Sequence, residues 1–360
     1  MADWYCDNTS GNDTTGSGTS SYPYQTMQKC IDSATRGDTI HIANTSAQVL
    51  SGNLSWSSFN TSGSGKTVFQ PWDNGGYLSL TIPGTGAITS ATIDASGLST
   101  SWLGSQPNHV VFKDLKIDNT TRFDGIDSRS TTSWFRCHFI TSRTNGYHLQ
   151  SGLVVVGCAF ETIGVQGTNT IVGNFFKNCG TYAIYSGNDR QIVNNVFLGN
   201  TTSTSSNPII DVSNNWLISG NVFISRSART GPALRTANNC RVLNNVFQGF
   251  SGLGSSGIDA VSNTGYYAGN VFYDCTSNTV NDSNIFFATP NVTASSAPYA
   301  DAGTDQWEAA SVLASTAYPT GYSGVNTQTY RDAGAIEHVP SSGSGSSYTN
   351  VASAKFTRLE

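Results

Sequence analysis

The heptapeptide QIVNNVF at residues 191–197 decides the fold of this chain, because close copies of it recur at regular intervals. Aligned on the asparagine and the phenylalanine, the close copies are IVGNFF at 171–176, LISGNVF at 217–223, VLNNVF at 242–247 and YYAGNVF at 266–272. Looser copies are KDLKI at 113–117, FRCHF at 135–139, VVGCAF at 155–160 and SNIFF at 283–287. A repeat of about 20 to 25 residues that varies mainly in loop length predicts a solenoid.

Each repeat contains a short apolar run, an asparagine, one further residue and a phenylalanine. Strands this short cannot bury a face alone, so each turn of chain must stack on the next to share one core. The aromatic column predicts an internal stack of Phe139, Phe160, Phe176, Phe197, Phe223, Phe247, Phe272 and Phe286. Asparagine tolerates a left-handed backbone and bonds to the neighbouring main chain. We therefore expect a ladder at one tight turn, formed by Asn174, Asn195, Asn221, Asn245 and Asn270.

These two columns resemble those of the pectate-lyase-like superfamily, where asparagine ladders and internal aromatic stacks are typical of the corners. The resemblance covers about residues 20 to 290. It implies an all-β fold, a single-stranded right-handed parallel β-helix with an N-terminal capping helix. That superfamily includes lyases, glycosidases, epimerases, phage spikes and inert adhesins, so the fold alone does not define the chemistry.

The segment boundaries follow from where the repeat begins and fades. Residues 1–43 form an N-terminal segment and cap, with loop-like residues 1–20, a helix over Tyr24–Ala34 and a strand over Thr39–Ala43. The β-helix occupies residues 44–290, of which 44–108 repeat poorly and are expected to be irregular early coils. Residues 291–339 close the fold. Residues 340–360 have the composition of a linker followed by a short tail.

Composition excludes several classes of partner. Only 11% of the 360 residues are charged and the formal net charge is −5, so nucleic acid is not an expected partner. No run of 18 apolar residues is present, so no segment is expected to span a membrane. The N-terminus, MADWYCDNTS, lacks the basic and apolar regions of a Sec-type signal peptide. No cysteine or histidine spacing fits a zinc site, and we predict neither a metal nor a cofactor.

Two pairs of cysteines are candidates for disulfide bonds. Cys137 and Cys158 occupy the ladder column on neighbouring rungs, about 5 Å apart, which is within reach of a disulfide. Cys6 and Cys30 can likewise join the N-terminus to the cap helix. Seven cysteines, an odd number, do not make a complete disulfide framework, so buried free thiols are the favoured interpretation.

The first strand of each repeat predicts a surface site. Its inward apolar residue aligns as Ile126, Leu149, Val165, Ile184, Ile210, Leu234 and Ile258. Side chains alternate across a strand, so the next residues point outward: Asp127, Gln150, Gln166, Tyr185, Asp211, Arg235 and Asp259. The preceding outward positions are mostly small: Gly125, His148, Gly164, Ala183, Ile209, Ala233 and Gly257. In the superfamily this sheet faces carbohydrate, so a shallow groove is expected to bind sugar through Asp127, His148, Gln150, Gln166 and Tyr185.

Among these outward residues, Asp211, Arg235 and Asp259 are expected on successive rungs. With rungs about 4.8 Å apart, the two carboxylates lie roughly 9 to 10 Å apart, near the upper separation in inverting glycosidases. A guanidinium between two carboxylates lowers carboxyl pKa values, which suits a base but opposes a general acid. The sequence therefore favours a surface ion-pair network, with catalysis by these three residues as the alternative.

A second cluster lies upstream and consists of Asp124, Asp127, Arg129, Arg136, His138, Arg143 and His148. A base and nearby cations are the groups that β-elimination beside a uronate needs. The sequence DGID at 124–127 faintly resembles the NTDG region of polygalacturonases, but the paired aspartates and the GHG of that family are absent. The RxxPxxR segment of pectate lyases and a calcium-binding acidic run are also absent. A solvated loop cluster is the favoured interpretation.

Three functions are compatible with the sequence. The leading hypothesis is a structural protein of a virion or surface assembly, of the phage decoration, fibre or spike type, located on a virion or an extracellular surface. The alternatives are a polysaccharide-degrading hydrolase or lyase and a module that only binds glycan. The expected partners are a polysaccharide or surface glycan, an assembly partner held through residues 340–360, and further copies of the chain in a homotrimer.

The leading hypothesis predicts that deleting residues 340–360 abolishes incorporation into an assembly while the β-helix stays folded. Cosedimentation of the truncated chain with assembled particles measures this. Normal incorporation would exclude the tail as the attachment.

Overall fold

The computed structural model describes residues 1–56, 65–72, 91–98, 109–118, 132–140, 148–150, 154–167, 170–177, 179, 182–186, 190–198, 207–225, 231–243, 245–250, 257–261, 264–268, 270–273, 275, 286–287, 336–339 and 347–350. These residues fall into two compact units, the first before residue 170 and the second from Thr170 onward. Short parallel strands, successive in each sheet from one turn of chain to the next, make up both units. This is the architecture of a parallel β-helix, so the predicted fold class is confirmed.

The first unit contains one helix and thirteen described strands. The helix α1 is Met27–Ser33. The strands are β1 Asp3–Cys6, β2 Thr39–Ile42, β3 Gln48–Val49, β4 Thr67–Pro71, β5 Thr92–Asp94, β6 Val110–Lys113, β7 Lys116–Asp118, β8 Ser133–Phe135, β9 His138–Ile140, β10 His148–Gln150, β11 Val154–Val156, β12 Ala159–Glu161 and β13 Gly164–Gln166. They form a first sheet β1-β2-β4-β6-β8-β11, a second sheet β3-β5-β7-β9-β12 and a third sheet β10-β13.

The second unit repeats this three-sheet plan. Its strands are β14 Thr170–Val172, β15 Phe175–Lys177, β16 Ile184–Ser186, β17 Gln191–Val193, β18 Val196–Leu198, β19 Ile210–Val212, β20 Leu217–Ser219, β21 Val222–Ile224, β22 Leu234–Thr236, β23 Arg241–Leu243, β24 Val246–Gln248, β25 Ile258–Ala260, β26 Tyr266–Ala268, β27 Val271–Tyr273 and β28 Phe286–Phe287. The sheets run β14-β17-β20-β23-β26, β15-β18-β21-β24-β27-β28 and β16-β19-β22-β25. Two later strands, β29 Ile336–Val339 and β30 Ser347–Asn350, pair antiparallel, so the segment expected to be a linker includes a strand.

The internal phenylalanine stack is confirmed within each unit. The rings of Phe139 and Phe160 lie 4.8 Å apart and almost parallel. In the second unit, ring centroids are 4.7–4.9 Å apart along the series Phe176, Phe197, Phe223, Phe247 and Phe272. Buried aromatic rings offset in this way contribute both apolar burial and direct ring contact.

One member of the predicted stack is wrong. Phe286 pairs with Val271, and Phe287 pairs with Phe272, so Phe287 is the residue in the phenylalanine column. Side chains alternate across a strand, and a slip of one residue therefore exchanges the two faces. Two adjacent phenylalanines satisfy either register in the sequence, and strand pairing decides between them.

The asparagine ladder is also confirmed, and its members are buried. The backbone N–H groups of Asn174, Asn195, Asn221 and Asn245 each donate to Oδ1 of the next asparagine in the ladder at 2.8–3.0 Å. The side-chain amide groups donate in turn to main-chain carbonyls; Asn221 Nδ2, for example, lies 3.0 Å from Ile192 O. The ladder thus supplies hydrogen-bond partners to main-chain groups that would otherwise be buried without one.

The expected backbone role of these asparagines is wrong by one position. The left-handed conformation belongs to the residue before the ladder asparagine at the three corners where that residue is described: Gly173 has φ 63°, Asn194 has φ 55° and Gly220 has φ 65°. Two successive residues therefore have different roles in this turn. The first adopts positive φ, and the second uses its side chain to join the rungs.

In the first unit Cys137 and Cys158 occupy the position of the ladder asparagines. Neither they nor the other five cysteines, all of which lie in the described part of the chain, form a disulfide. The Cys137 N–H donates to Cys158 Sγ at 3.3 Å. Cys158 Sγ also lies 3.6 Å from Trp134 O and 3.5 Å from Val156 O. These carbonyls stand at the same offsets from the ladder as those that Asn195 Nδ2 contacts in the second unit. A thiol therefore takes the place of the amide in this corner.

The N-terminal cap contains more structure than the sequence indicated. Residues predicted to be loop-like form β1, which pairs with β2. The outer edge of β1 is covered because Tyr5 N–H donates to Gly18 O and Tyr24 N–H donates to Tyr5 O, each at 2.9 Å. The helix α1 is capped by Thr26, whose hydroxyl accepts from Lys29 N–H, and it buries Met27, Cys30 and Ile31. Covering an edge strand removes a template for pairing with other chains.

The poorly repeating residues 44–108 contribute regular strands where the structure describes them. The strands β3, β4 and β5 pair in parallel with their neighbours in the first and second sheets. Phe69 on β4 is fully buried and stacks on Phe112 at 5.0 Å, with Trp56 at 5.7 Å. The core therefore extends through this region although its sequence repeat is weak. No helix in the described part of the chain has the length and apolar character needed to cross a membrane.

The thiol in the ladder leads to a stability prediction. We expect Cys158→Asn to be at least as stable as the natural chain, because asparagine provides the same acceptor and a stronger donor at this position. Cys158→Val, which fills a similar volume without hydrogen bonding, should lower the free energy of unfolding by about 1–3 kcal/mol. Urea unfolding followed by circular dichroism measures both. A valine variant more stable than the asparagine variant would contradict the ladder interpretation.

Candidate functional site

The third sheet of the second unit carries the candidate site on its outward face. Ile184, Ile210, Leu234 and Ile258 are completely buried and point into the core. The residue after each of them forms a column by strand register: Tyr185 pairs with Asp211, Asp211 with Arg235, and Arg235 with Asp259. We call Tyr185, Asp211, Arg235 and Asp259 the outward column. The predicted inward residues, and the outward position of the residue after each of them, are confirmed here.

Arg235 bridges the two carboxylates of the column. Its Nη1 lies 3.7 Å from Asp211 Oδ2, and its Nε donates to Asp259 Oδ2 at 3.2 Å. The side chain of Asp211 is 22% exposed, while those of Arg235 and Asp259 are each 34% exposed. Solvent screens partly exposed pairs, which typically contribute at most about 1 kcal/mol to stability. The network therefore orients side chains more than it stabilises the fold.

The pKa of Asp211 differs from the expectation based on its charged neighbour. Burial raises this pKa above its ordinary value, and the carboxylate of Asp259 raises it further, while Arg235 opposes both. The guanidinium lowers this pKa as expected, but burial outweighs it, so the net direction is upward and not downward. Desolvation disfavours the charged carboxylate, and Arg235, at 3.7 Å and in contact with a second carboxylate, compensates only in part.

Two tyrosines extend the column at one end. Tyr185 is 44% exposed, and its ring lies 5.2 Å from the ring of Tyr182 at an angle of 41°. Burial raises the pKa of Tyr182, and the nearby charge of Asp211 adds to the effect while Arg235 opposes it. Tyr182 therefore belongs to the same site. The sequence did not indicate it, because it precedes β16 and stands outside the repeated positions; the pair of tyrosines around Ala183 and Ile184 is the signal that could have done so.

The residues expected to line the groove as small outward side chains are buried instead. Ala183, Ile209, Ala233 and Gly257 lie in the turns immediately before β16, β19, β22 and β25. Strand alternation does not apply to turn residues, and this accounts for the error. The outward column itself therefore provides the described surface of the site.

The remaining predicted sugar-binding residues belong to the first unit or lie outside the described residues. His148 and Gln150 lie on β10, which pairs with β13 so that Gln150 is opposite Gln166. The side chain of Gln166 is half-buried. Asp127 lies outside the described residues, and its place in the site stays a prediction.

The upstream charged cluster is engaged in local pairs where it is described. The guanidinium of Arg136 binds both carboxylate oxygens of the buried Asp114, with Nη2 at 2.7 Å from Oδ2. His138 Nε2 lies 2.9 Å from Glu161 Oε1 across two strands of the second sheet. The other members, Asp124, Asp127, Arg129 and Arg143, lie outside the described residues, and only the backbone of His148 is described. Among the described residues, no group of three or more histidine, cysteine or acidic side chains is arranged to hold a metal ion.

Comparisons with known proteins concern the fold. No family model matches the chain, and no curated protein matches its sequence. Two solved structures of the GH136 lacto-N-biosidase from Eubacterium ramulus, a selenomethionine derivative and the native protein, are similar, with TM-scores of 0.46 and 0.44. Each is 10% identical, and each match covers 80% of this chain and 67% of the other. These neighbours are glycoside hydrolases; at this identity the likeness is one of backbone shape. Membership of the pectate-lyase-like superfamily stays a prediction.

The raised pKa of Asp211 predicts a pH-dependent effect on stability. The folded chain holds this proton more tightly than the unfolded chain, so the contribution is complete below the unfolded value and is lost as pH rises through the folded value. At pH 7 the ionised carboxylate is therefore a net cost. We expect Asp211→Asn to raise the free energy of unfolding at pH 7, and the gain to disappear near about pH 3.

Urea unfolding at the two pH values measures this difference. Asp32→Asn is the matched control, because it removes the same charge from an exposed position on α1. An equal gain for Asp211→Asn at both pH values would show that ionisation of the carboxyl group is not the cause.

Proposed function

We propose that the outward column binds an extended glycan. The observation that carries this proposal is the position of Tyr185, an exposed aromatic ring in register beside Asp211 and in line with Arg235 and Asp259. A pyranose ring presents C–H groups on its faces and hydroxyl groups around its edge. An aromatic face next to charged acceptors and donors is complementary to both.

The spacing between successive members of the outward column also suits an extended glycan. Its members come from successive rungs about 4.8 Å apart, which is close to the length that one pyranose adds to an extended chain. Asp211 and Asp259 would accept hydrogen bonds from sugar hydroxyls, and the guanidinium of Arg235 would donate to hydroxyl or ring oxygens. Because Arg235 already holds the two carboxylates, the polar groups are oriented before a ligand arrives, which reduces the entropic cost of binding.

Replacement of Tyr185 tests this proposal. We expect Tyr185→Ala to weaken binding of oligosaccharides about tenfold, since an aromatic contact of about 1.4 kcal/mol corresponds to that factor. Isothermal titration with hexasaccharides from cellulose, xylan, mannan, chitin and pectin measures the affinity. Tyr266→Ala is the matched control, because Tyr266 is 57% exposed on the first sheet of the same unit. Equal affinities for the two variants, or no binding by any hexasaccharide, would exclude the column as a glycan site.

Hydrolysis is a second candidate activity of the same column, and the raised pKa of Asp211 favours it. A protonated Asp211 would donate its proton to the glycosidic oxygen as the bond to the anomeric carbon breaks. Asp259 would take a proton from a water molecule that attacks the anomeric carbon from the opposite face. A separation of two rungs, roughly 9 to 10 Å, is near the upper end of that used for inversion of the anomeric centre.

Prolonged incubation of the bound hexasaccharides with the protein distinguishes binding from hydrolysis. New reducing ends, lost in both Asp211→Asn and Asp259→Asn, would identify the pair as catalytic. The rate should fall as pH rises through the raised pKa of Asp211, because the general acid then loses its proton. Absence of new reducing ends with binding retained would leave the column as a binding site.

The role as a structural protein of a virion or surface assembly stays a prediction from the sequence. Its grounds include the missing catalytic motifs, the low charge and the linker-and-tail composition of residues 340–360, of which the structure describes 347–350 as β30. A glycan-binding column is compatible with such a role, because surface assemblies commonly contact glycans. The two hypotheses are tested independently, since one concerns the tail and the other the outward column.

A further inference from the structure

The charges of the outward column do not cancel. Two carboxylates share one guanidinium, so the column carries one net negative charge when both aspartates are ionised. Among the described strands of the third sheet in the second unit, β16, β19, β22 and β25, Arg235 is the one positively charged residue. Lys177 and Arg241, the charged residues on described strands of the other two sheets, lie on β15 and β23.

The guanidinium of Arg235 is flanked by a carboxylate on two sides. Nη1 faces Asp211 and Nε donates to Asp259, so the carboxylates flank the guanidinium on both sides. A carboxylate on a ligand that approaches this guanidinium comes close to the aspartates on either side of it or displaces one of them. Each course brings like charges together or leaves a partly buried aspartate without its partner, and both are unfavourable.

We infer that the outward column selects neutral glycans over glycans that carry carboxylates. This inference rests on the proposed glycan-binding function and adds the class of ligand. The uncharged face of Tyr185 and the acceptors of Asp211 and Asp259 suit the C–H and hydroxyl groups of a neutral pyranose. A uronate at the same position would meet two carboxylates of its own sign and one guanidinium that already faces both of them.

Matched pairs of ligands test the inference. The probes are cellohexaose with its C6-oxidised uronate counterpart, and the galacturonan hexasaccharide with its methyl ester. We expect the neutral member of at least one pair to bind tenfold or more tightly than the acidic member at about 20 mM salt. The ratio should shrink at about 0.5 M salt, because counterions screen partly exposed charges.

A charge-removing variant assigns the selectivity to the column. Asp259→Asn makes the column neutral and should reduce the ratio of neutral to acidic affinity at least threefold. Asp32→Asn removes the same charge from an exposed site on α1 and should leave the ratio unchanged. Equal reductions in the two variants would assign the selectivity to total charge and overturn the inference.

The remaining outcomes separate this inference from the function on which it rests. Tighter binding of the acidic members, with Tyr185→Ala weakening that binding, would overturn the neutral preference and leave the glycan site in place. Absence of binding by every probe would overturn the glycan site and the preference together. Tighter binding of the neutral members by the natural chain, with a reduced ratio only in Asp259→Asn, would support both.

Discussion

The hydrogen bond from the backbone of one ladder residue to the side chain of the next is the interaction on which the rest of this structure depends. Strands of three residues provide too few main-chain bonds to fix their own register. The ladder amide joins consecutive turns at the same corner, from Asn174 to Asn270 in the second unit. Once the corner is fixed, the phenylalanine two residues later has a single place to pack. The register of the outward column follows, because it is set by the same stacking of turns.

The corner also shows how different residue types can meet one physical requirement. In the first unit Cys158 Sγ accepts a hydrogen bond from the N–H of Cys137 and faces two main-chain carbonyls. The ladder asparagines of the second unit make the same contacts. Burial raises the pKa of Cys137, and the neighbouring thiol of Cys158 raises it further. The thiol of Cys137 therefore stays protonated and remains a hydrogen-bond donor. What the corner requires is a small buried group that both accepts and donates. Amide and thiol each satisfy it, although the amide does so more strongly.

The sequence predicted the fold where a residue's role depends on its own turn of chain. The asparagine and phenylalanine columns and the inward residues of the third sheet are of this kind. It failed where the outcome depends on pairing between distant segments: β1 pairs with residues 39–42, and Phe287 rather than Phe286 pairs with Phe272. In the site, the sequence identified Asp211, Arg235 and Asp259 but not Tyr182. It also misjudged the pKa of Asp211, because desolvation depends on packing around the carboxylate and a residue pattern does not contain it.

The outward column is assembled from separate turns of the helix, and this affects how such a site can evolve. Arg235 and Asp259 are register partners although they stand 24 residues apart, so loops between strands can change without altering the column. A whole turn is different. Loss of one 24-residue turn containing Arg235 would preserve the stacking of the remaining rungs and bring the two aspartates onto adjacent ones. Their separation would fall to about 4.8 Å, close to the distance at which glycosidases retain rather than invert the anomeric centre. For the proposed hydrolysis, gain or loss of a repeat would therefore exchange one stereochemical course for another without any substitution at Asp211 or Asp259.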